Sequence, residues 1–505
     1  MESENNSLAV NILKERKSIL ACKKRGLPSV GCNPNHKEFS HSVEPINKAF
    51  KIYGNKIFEL EDEYNKDIPK NSLGGGSPLN FKPYKPCLKM IKKSLKQDDY
   101  SDYPLAMGDD KYKKIIIKYL INEGFCSYRE ILNDNLIFTV SSTHAFNLII
   151  DTISKPKDVI IMTGPNYGLF AFVPERLGVD VEILNLKKEN NFLPDPKELN
   201  FLIKKINKRL YEKADDKNNP PRVVGFLNMN PHNPLGTVID GNKRDLLFEL
   251  CRVCKENGVF LIDDLIYRDI VFPGNQKAIY AASCKGMFDN VITMFGLSKC
   301  YGFAALRTGV VVANECVIRG IRNRLFQTMD SPPTLQAAAL AGAFNYTKLN
   351  RKYYLKYFKK LNSIYFTKYL LLKVLVEGIE SIDEEYQDRI RERIKSGCKK
   401  ANIKIDMLDG IQKVSLFEDL EPTAGFFCIL NFTKLLGKKY GNFKIKDDVS
   451  LLKYLYKYGK IKFIIGKSMA WPNKKEIVGR VTFALSDEDL ITAFYYLKKC
   501  IQRLK

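Results

Sequence analysis

The sequence predicts an α/β fold: a large domain with a mainly parallel, helix-covered sheet, joined to a smaller α/β domain. Two patterns carry this. From about residue 135, short continuous apolar runs alternate with segments of helical length, as in sheets buried on both faces. Polar residues follow those runs one after another, which collects them on one sheet edge, where open α/β folds bind ligands.

In chain order, residues 1 to about 70 read as helices and loops. Leu8, Ile12, Ile19 and Leu20 have amphipathic spacing, and Glu59-Leu-Glu-Asp-Glu63 is an acidic patch. Asn71-Ser-Leu-Gly-Gly-Gly-Ser-Pro78 is a glycine-rich turn. No helix start with Lys-Ser or Lys-Thr follows it, so it is not a phosphate loop. Leu136–Val140, Asp158–Thr163, Val179–Leu186, Val223–Met229, Val259–Ile262, Val291–Phe295 and Thr308–Ala313 are the expected strands. Helical stretches such as Asn242–Asn257 separate most of them. Ser331-Pro-Pro333 breaks the alternation, and Thr334 to about Val376 reads as one long helix. Residues 377–420 are charged and without clear period; this stretch and Lys204–Pro221 read as insertions. The expected division is an N-terminal segment at 1–79 that joins the small domain, the large domain at 80–330, and the C-terminal small domain at 331–505.

A chain of 505 residues calls for two or three domains. Its 12 cysteines are scattered. Cys251-Arg-Val-Cys254 has no second pair or histidine cluster, so neither a metal site nor a disulfide framework is expected. The N-terminus lacks the basic and apolar regions of a signal peptide. No apolar run approaches the roughly 18 to 20 residues that span a bilayer. A cytoplasmic protein is the expectation. The formal charge of +24 is spread along the chain rather than gathered in one arm. This argues for help with anionic ligands rather than a nucleic-acid surface.

The strand ends hold the chemistry. After the first strand come Ser141-Ser142-Thr143-His144 and a helix start, a place where free N–H groups and hydroxyls meet anions. After the second comes Pro165-Asn-Tyr167-Gly; after the fourth, Asn233-Pro-Leu-Gly-Thr237; after the fifth, Asp264-Leu-Ile-Tyr267; after the sixth, Ser298-Lys299. An aromatic, an amide, a carboxylate with a phenol, and a lysine suit a pyridine ligand bearing a phosphate, a phenolic oxygen and an aldehyde. The lysine would bond the aldehyde as a Schiff base, and the carboxylate would keep the ring nitrogen protonated.

These residues resemble a family. Gly296-Leu-Ser298-Lys299-Cys-Tyr-Gly302-Phe-Ala-Ala-Leu-Arg307-Thr-Gly309 is similar to the lysine motif of fold-type I, pyridoxal-phosphate-dependent aminotransferases of class I/II. That group includes aspartate aminotransferase and 1-aminocyclopropane-1-carboxylate synthase. The other strand-end motifs match in order, as do Tyr103-Pro-Leu-Ala-Met-Gly108 and Gly479-Arg480-Val-Thr-Phe-Ala484. The resemblance covers roughly residues 70 to 505. It implies pyridoxal 5'-phosphate as cofactor and 80–330 as its binding domain. It further implies Lys299, Asp264 and Tyr267 as catalytic residues, and Ser142, Thr143, Tyr167, Asn233, Ser298 and Arg307 as further cofactor ligands. Tyr103 would reach a neighbouring subunit's phosphate, so a homodimer is implied. Gly76, Asn233 and Arg480 would bind the substrate. The implied activity is transfer of an α-amino group between an amino acid and a 2-oxo acid. A synthase-like lyase and a non-catalytic basic binding protein are the alternatives. Three positions depart from the family. Gly296 stands where a phosphate-binding serine is expected, Ser141 opens the phosphate cup in place of glycine, and Leu265 replaces a glutamate. His144 and His232 read as local hydrogen-bond partners.

Overall fold

The computed structural model describes residues 71–505 apart from Leu79, Asn80, Asp99, Ile405 and Asp419. The helix expected at Leu8–Leu20 and the acidic patch Glu59–Glu63 lie outside the described residues. Strand β1 (Asn71–Ser72) is the first element among the described residues. The seven expected strands follow as β2 (Leu136–Thr139), β3 (Val159–Gly164), β4 (Asp180–Asn185), β5 (Val223–Met229), β6 (Phe260–Asp264), β7 (Val291–Gly296) and β8 (Gly309–Val312). They form one sheet in the order β2-β8-β7-β6-β5-β3-β4. The run from β4 to β7 is parallel, and β8 is antiparallel to both of its neighbours.

Every residue of these strands except those of the edge strand β4 is buried. Two cores sandwich the sheet, and successive residues alternate between them. Val159 and Ile161 of β3 join the core under the helices Pro196–Glu212 and Arg244–Glu256, while Ile160 and Met162 join the core under Ser142–Ile153 and Glu315–Met329. Continuous apolar runs are what such double-sided burial demands.

The second unit is built on an antiparallel sheet. Its strands are β9 (Ser415–Leu416), β10 (Phe427–Asn431), the hairpin pair β11 (Lys439–Tyr440) and β12 (Phe443–Lys444), β13 (Ile461–Lys462), β14 (Ile464–Ile465) and β15 (Val478–Thr482). Four of them make a sheet ordered β14-β15-β10-β9, and β1 adds to β13 in parallel.

Three expectations are corrected. Lys204–Pro221 is not wholly an insertion, because its first half completes the helix Pro196–Glu212, whose buried face is Leu199, Ile203 and Ile206. The stretch 377–420 is not aperiodic: it contains the helix Glu384–Lys400, with Ile390, Ile394 and Gly397 buried. Only two aliphatics carry that face. Gly397 lies so close to the last helix (Asp487–Gln502) that a Cβ there would sit 2.2 Å from Ile491 Cδ1. A close approach through glycine leaves no apolar signal in the sequence. The single helix expected over 334–376 is two, Thr334–Ala343 and Lys348–Glu377. Thr347 caps the second by accepting from the Asn350 N–H at 3.2 Å. Among the described residues no helix is long and apolar enough to cross a membrane.

Candidate active site

A cavity of about 310 Å³ opens where the carboxyl ends of the parallel strands face the small sheet. Lys299, Tyr167, Asn233, Tyr267, Gly76 and Arg480 all line it. The large sheet delivers the first four through loops after β7, β3, β5 and β6. The glycine-rich turn after β1 delivers Gly76, and β15 delivers Arg480.

Lys299 Nζ donates to the Gly76 carbonyl at 2.5 Å. Burial, then the nearby Arg480 and Arg307 charges, lower its pKa to about 8, against the opposing pull of Asp264. Asp264, the last residue of β6, is buried; its Oδ1 accepts from the Ile266 N–H at 3.1 Å. Burial pushes its carboxyl up to about 7. Asp263 beside it is raised to about 7 by the same cause, but its oxygens accept from Asn228 Nδ2 and the Ala281 N–H, both at 3.0 Å. Asp263 is therefore committed to the sheet, whereas Asp264 faces the lysine.

Arg480 is buried, with its guanidinium 4.2 Å from the Phe427 ring centroid. It donates to Asn233 Oδ1 at 3.1 Å and to the Gly74 carbonyl at 2.8 Å, and its Nε has no protein partner. Asn233 also approaches the Tyr267 hydroxyl at 3.5 Å. Tyr167 is half-buried against the edge of Phe170.

The remaining expected residues are not among those that line the cavity. Ser142 and Thr143 form the first turn of Ser142–Ile153; Ser141 caps that helix, its Oγ accepting from the His144 N–H at 3.2 Å. Ser141 sits at φ 102°, backbone that glycine favours, and this cap is the compensation the chain supplies. Ser298 is buried. Arg307 is exposed in a left-handed conformation, donating to the Ala304 carbonyl at 2.9 Å. Tyr103 is 83% exposed. His144 Nδ1 accepts from the Val140 N–H at 3.2 Å, and His232 Nε2 pairs with Thr163 Oγ1 at 2.9 Å.

Gly296 has a steric explanation. A Cβ there would lie 2.7 Å from Ile266 Cδ1 and 2.9 Å from the Thr308 carbonyl. Its cross-strand partner Gly309 is as tight, with Thr139 Oγ1 at 2.5 Å from a would-be Cβ. The Thr308 carbonyl and the Ile266 side chain crowd this point of the sheet, and no side chain fits at 296. Gly296→Ser is accordingly expected to destabilise the fold by about 1 to 3 kcal/mol. Denaturant melts check this; a wild-type midpoint would refute the steric reading.

Sequence reasoning missed Phe427, Lys462, Ile464 and Ser468, which also line the cavity. They come from short strands and a turn of the small unit, where no motif marks them.

The donor set fits pyridoxal 5'-phosphate. A buried carboxylate stands behind a low-pKa lysine, and an aromatic, an amide and a phenol share the wall. A helix N-terminus bearing two hydroxyls lies at the same sheet edge.

Known proteins point the same way. Residues 71–494 match the family model for aminotransferase class I and II. An aspartate aminotransferase of Sulfurisphaera tokodaii is 27% identical over 338 residues, 66% of this chain and 77% of that protein. 1-Aminocyclopropane-1-carboxylate synthase 7 of Arabidopsis thaliana is 26% identical over 313 residues, 61% of this chain and 58% of that protein. The crystal structure of aspartate aminotransferase from Rhizobium meliloti shares the fold, with a TM-score of 0.66 at 18% identity over 90% of this chain and 96% of that one. The chain therefore belongs to the aminotransferase class I and II family, whose cofactor is pyridoxal 5'-phosphate.

Proposed function

We propose that this protein is an aminotransferase that moves the α-amino group between an amino acid and a 2-oxo acid. The observation that carries the reading is one cavity with a lysine of lowered pKa at its floor and a buried arginine with an open Nε on its wall. When bound, the cofactor's ring withdraws electrons from the bonds at the substrate's Cα. Arg480 binds the α-carboxylate as a planar fork, beside Asn233 and the Gly76 turn. Lys299, which is substantially neutral near pH 8, would take the proton from the substrate's Cα. Asp264 would supply the negative charge that keeps the cofactor's ring nitrogen protonated. Tyr167 would hold the ring, and Asn233 and Tyr267 its phenolic oxygen. Ser142, Thr143, Ser298 and Arg307 would hold the phosphate. Tyr103, which is exposed on its own chain, is assigned to the phosphate of a second copy. The active form on this reading is a homodimer.

The test is a panel of amino-acid and 2-oxo-acid pairs set against S-adenosylmethionine alone. Formation of a new amino acid from a 2-oxo acid is expected. Consumption of S-adenosylmethionine without an oxo acid would replace this reading by the lyase.

A further inference from the structure

The two loops that deliver Tyr267 and Lys299 to the cavity are tied together by one buried carboxylate that is not part of its lining. Asp269 lies two residues after Tyr267 and is buried. Its Oδ2 accepts from the Tyr301 hydroxyl at 2.9 Å, and Tyr301 lies two residues after Lys299. The loops meet a second time where Cys300 Sγ donates to the Ile266 carbonyl at 3.2 Å. Asp269 also reaches the long helix Lys348–Glu377. Its Oδ1 accepts from the Tyr354 hydroxyl at 2.5 Å, and its main-chain carbonyl accepts from Asn362 Nδ2 at 3.2 Å. Arg268 Nη1 and Lys277 Nζ stand 3.3 and 3.4 Å from the same Oδ1. Burial alone would raise this carboxyl. The Lys277 and Arg268 charges and the two phenol hydroxyls outweigh it and hold the group below the ordinary carboxylate value.

We propose that Asp269 is a positioning residue of the amino-transfer site: through Tyr301 it sets the placement of Lys299 relative to Tyr267. The proposal rests on the amino-transfer reading for the chemistry it serves. Tyr267 would hold the cofactor's phenolic oxygen while Lys299 takes the substrate proton, so the spacing of their loops decides whether both reach one ligand. The sheet does not fix that spacing. The β6–β7 ladder ends at Asp264 and Met294, with one further bond from the Leu265 N–H to the Met294 carbonyl at 3.1 Å. Beyond that point the Cys300–Ile266 and Tyr301–Asp269 contacts take over. A thiol is a weak donor, whereas a phenol bound to a charged carboxylate makes one of the stronger hydrogen bonds. Asp269 therefore carries most of the link between the loops. A cluster that only satisfied its own buried charges would affect stability and leave the cavity unchanged.

The test uses the full-length holoenzyme, the variants Asp269→Asn and Tyr301→Phe, their double variant, and two readouts. Tyr301→Phe keeps the ring, whose centroid lies 5.4 Å from that of Tyr84 and 5.7 Å from that of Phe344, and removes only the hydroxyl. The first readout is steady-state kinetics. Each single variant is expected to lose about 10- to 100-fold in kcat, the scale of a misplacement near 1 Å. KM should change by less than about threefold, because uniform substrate binding is left in place. The double variant should lose no more than the worse single one, since both break the same link. The second readout is the pH midpoint of the visible band of bound pyridoxal 5'-phosphate, recorded without substrate. A displaced Tyr267 gives up its hydrogen bond to the phenolic oxygen, which then holds the proton shared with the Lys299 linkage more tightly. The midpoint should rise by about half a unit or more. A folded Tyr301→Phe with wild-type kcat, or with an unmoved midpoint, overturns the proposal, and so do losses that multiply in the double variant. A lowered melting temperature with kcat and midpoint unchanged overturns it as well, leaving Asp269 a purely structural group. If the midpoint rises in the variants but the wild type transfers no amino group, the functional reading falls and the positioning role stands. Should Asp269→Asn fail to fold, Tyr301→Phe decides alone.

Discussion

Replacing Lys299 by alanine is expected to lower kcat by about four powers of ten, the upper range for loss of a positioned proton-transfer group. The measurement is the steady-state rate of 2-oxo-acid formation, with a thermal melt to show that the variant is folded. The fold should survive, because the amine donates to one carbonyl of a loop, that of Gly76. The pH dependence supplies a second signature. Without cofactor, burial lowers the Lys299 amine to about 8 in the folded chain, below its ordinary value of 10.5. Between those values the unfolded chain binds a proton that the native chain lacks, so stability rises with pH. Below pH 8 the destabilisation is fully present. Lys113, lowered to about 8 mainly by burial, acts in the same direction. Lys299→Ala should therefore exceed the wild type in stability most clearly at pH 7 and converge on it near pH 10. Near-wild-type amino transfer by Lys299→Ala would end the assignment of this residue.

Asp264→Asn is the second large effect. The variant is expected to lose about 10³-fold in kcat, the scale of removing a pre-oriented charge from a water-poor site. Its stability without cofactor should move the opposite way. The folded carboxyl titrates near 7 instead of 3.8, so the native chain holds the extra proton between those values. Stability contributed by that proton is present at low pH and lost as pH rises through 7. At pH 8 the wild type buries a desolvated carboxylate, which an amide of the same shape avoids. Asp264→Asn should then be more stable than the wild type by about 1 to 3 kcal/mol, the scale of burying an uncompensated polar group. The Ile266 N–H still finds an oxygen in the variant. Asp263 keeps its own raised pKa, so part of the wild-type slope remains. A variant with full activity, or with lower stability at pH 8, would contradict the role given to this carboxylate.

The large sheet was legible because its strands are buried on both faces, and unbroken runs such as Val159–Thr163 have no other economical use. Lys299, Asp264 and Asn233 were legible because each follows directly on such a run. The small unit was not, since Ile461–Lys462 and Ile464–Ile465 are strands of two residues, below the length at which alternation can be recognised. Lys462 accordingly read as one more basic residue in a basic chain. The helix Glu384–Lys400 was hidden by its glycine contact. Gly296 was visible as a departure, but its reason was not. The excluding atoms belong to Ile266 and Thr308, one from another strand's loop and one from the chain's return into β8.

The connectivity of the site also constrains how the chain is assembled on the ribosome. β2 carries the helix start at Ser142, yet its partner in the sheet is β8, which is synthesised long afterwards. The cavity is closed by still more distant contacts: Lys299 with Gly76 across 223 residues, Arg480 with Asn233 across 247, and Arg480 with Gly74 across 406. β1 must wait for β13, as the Asn71–Gly459 bond across 388 residues illustrates. Native pairings this remote form late and slowly. A nascent chain released before Ile461 emerges has neither a complete cavity nor a partner for β1, and it exposes the unpaired edges that aggregation uses.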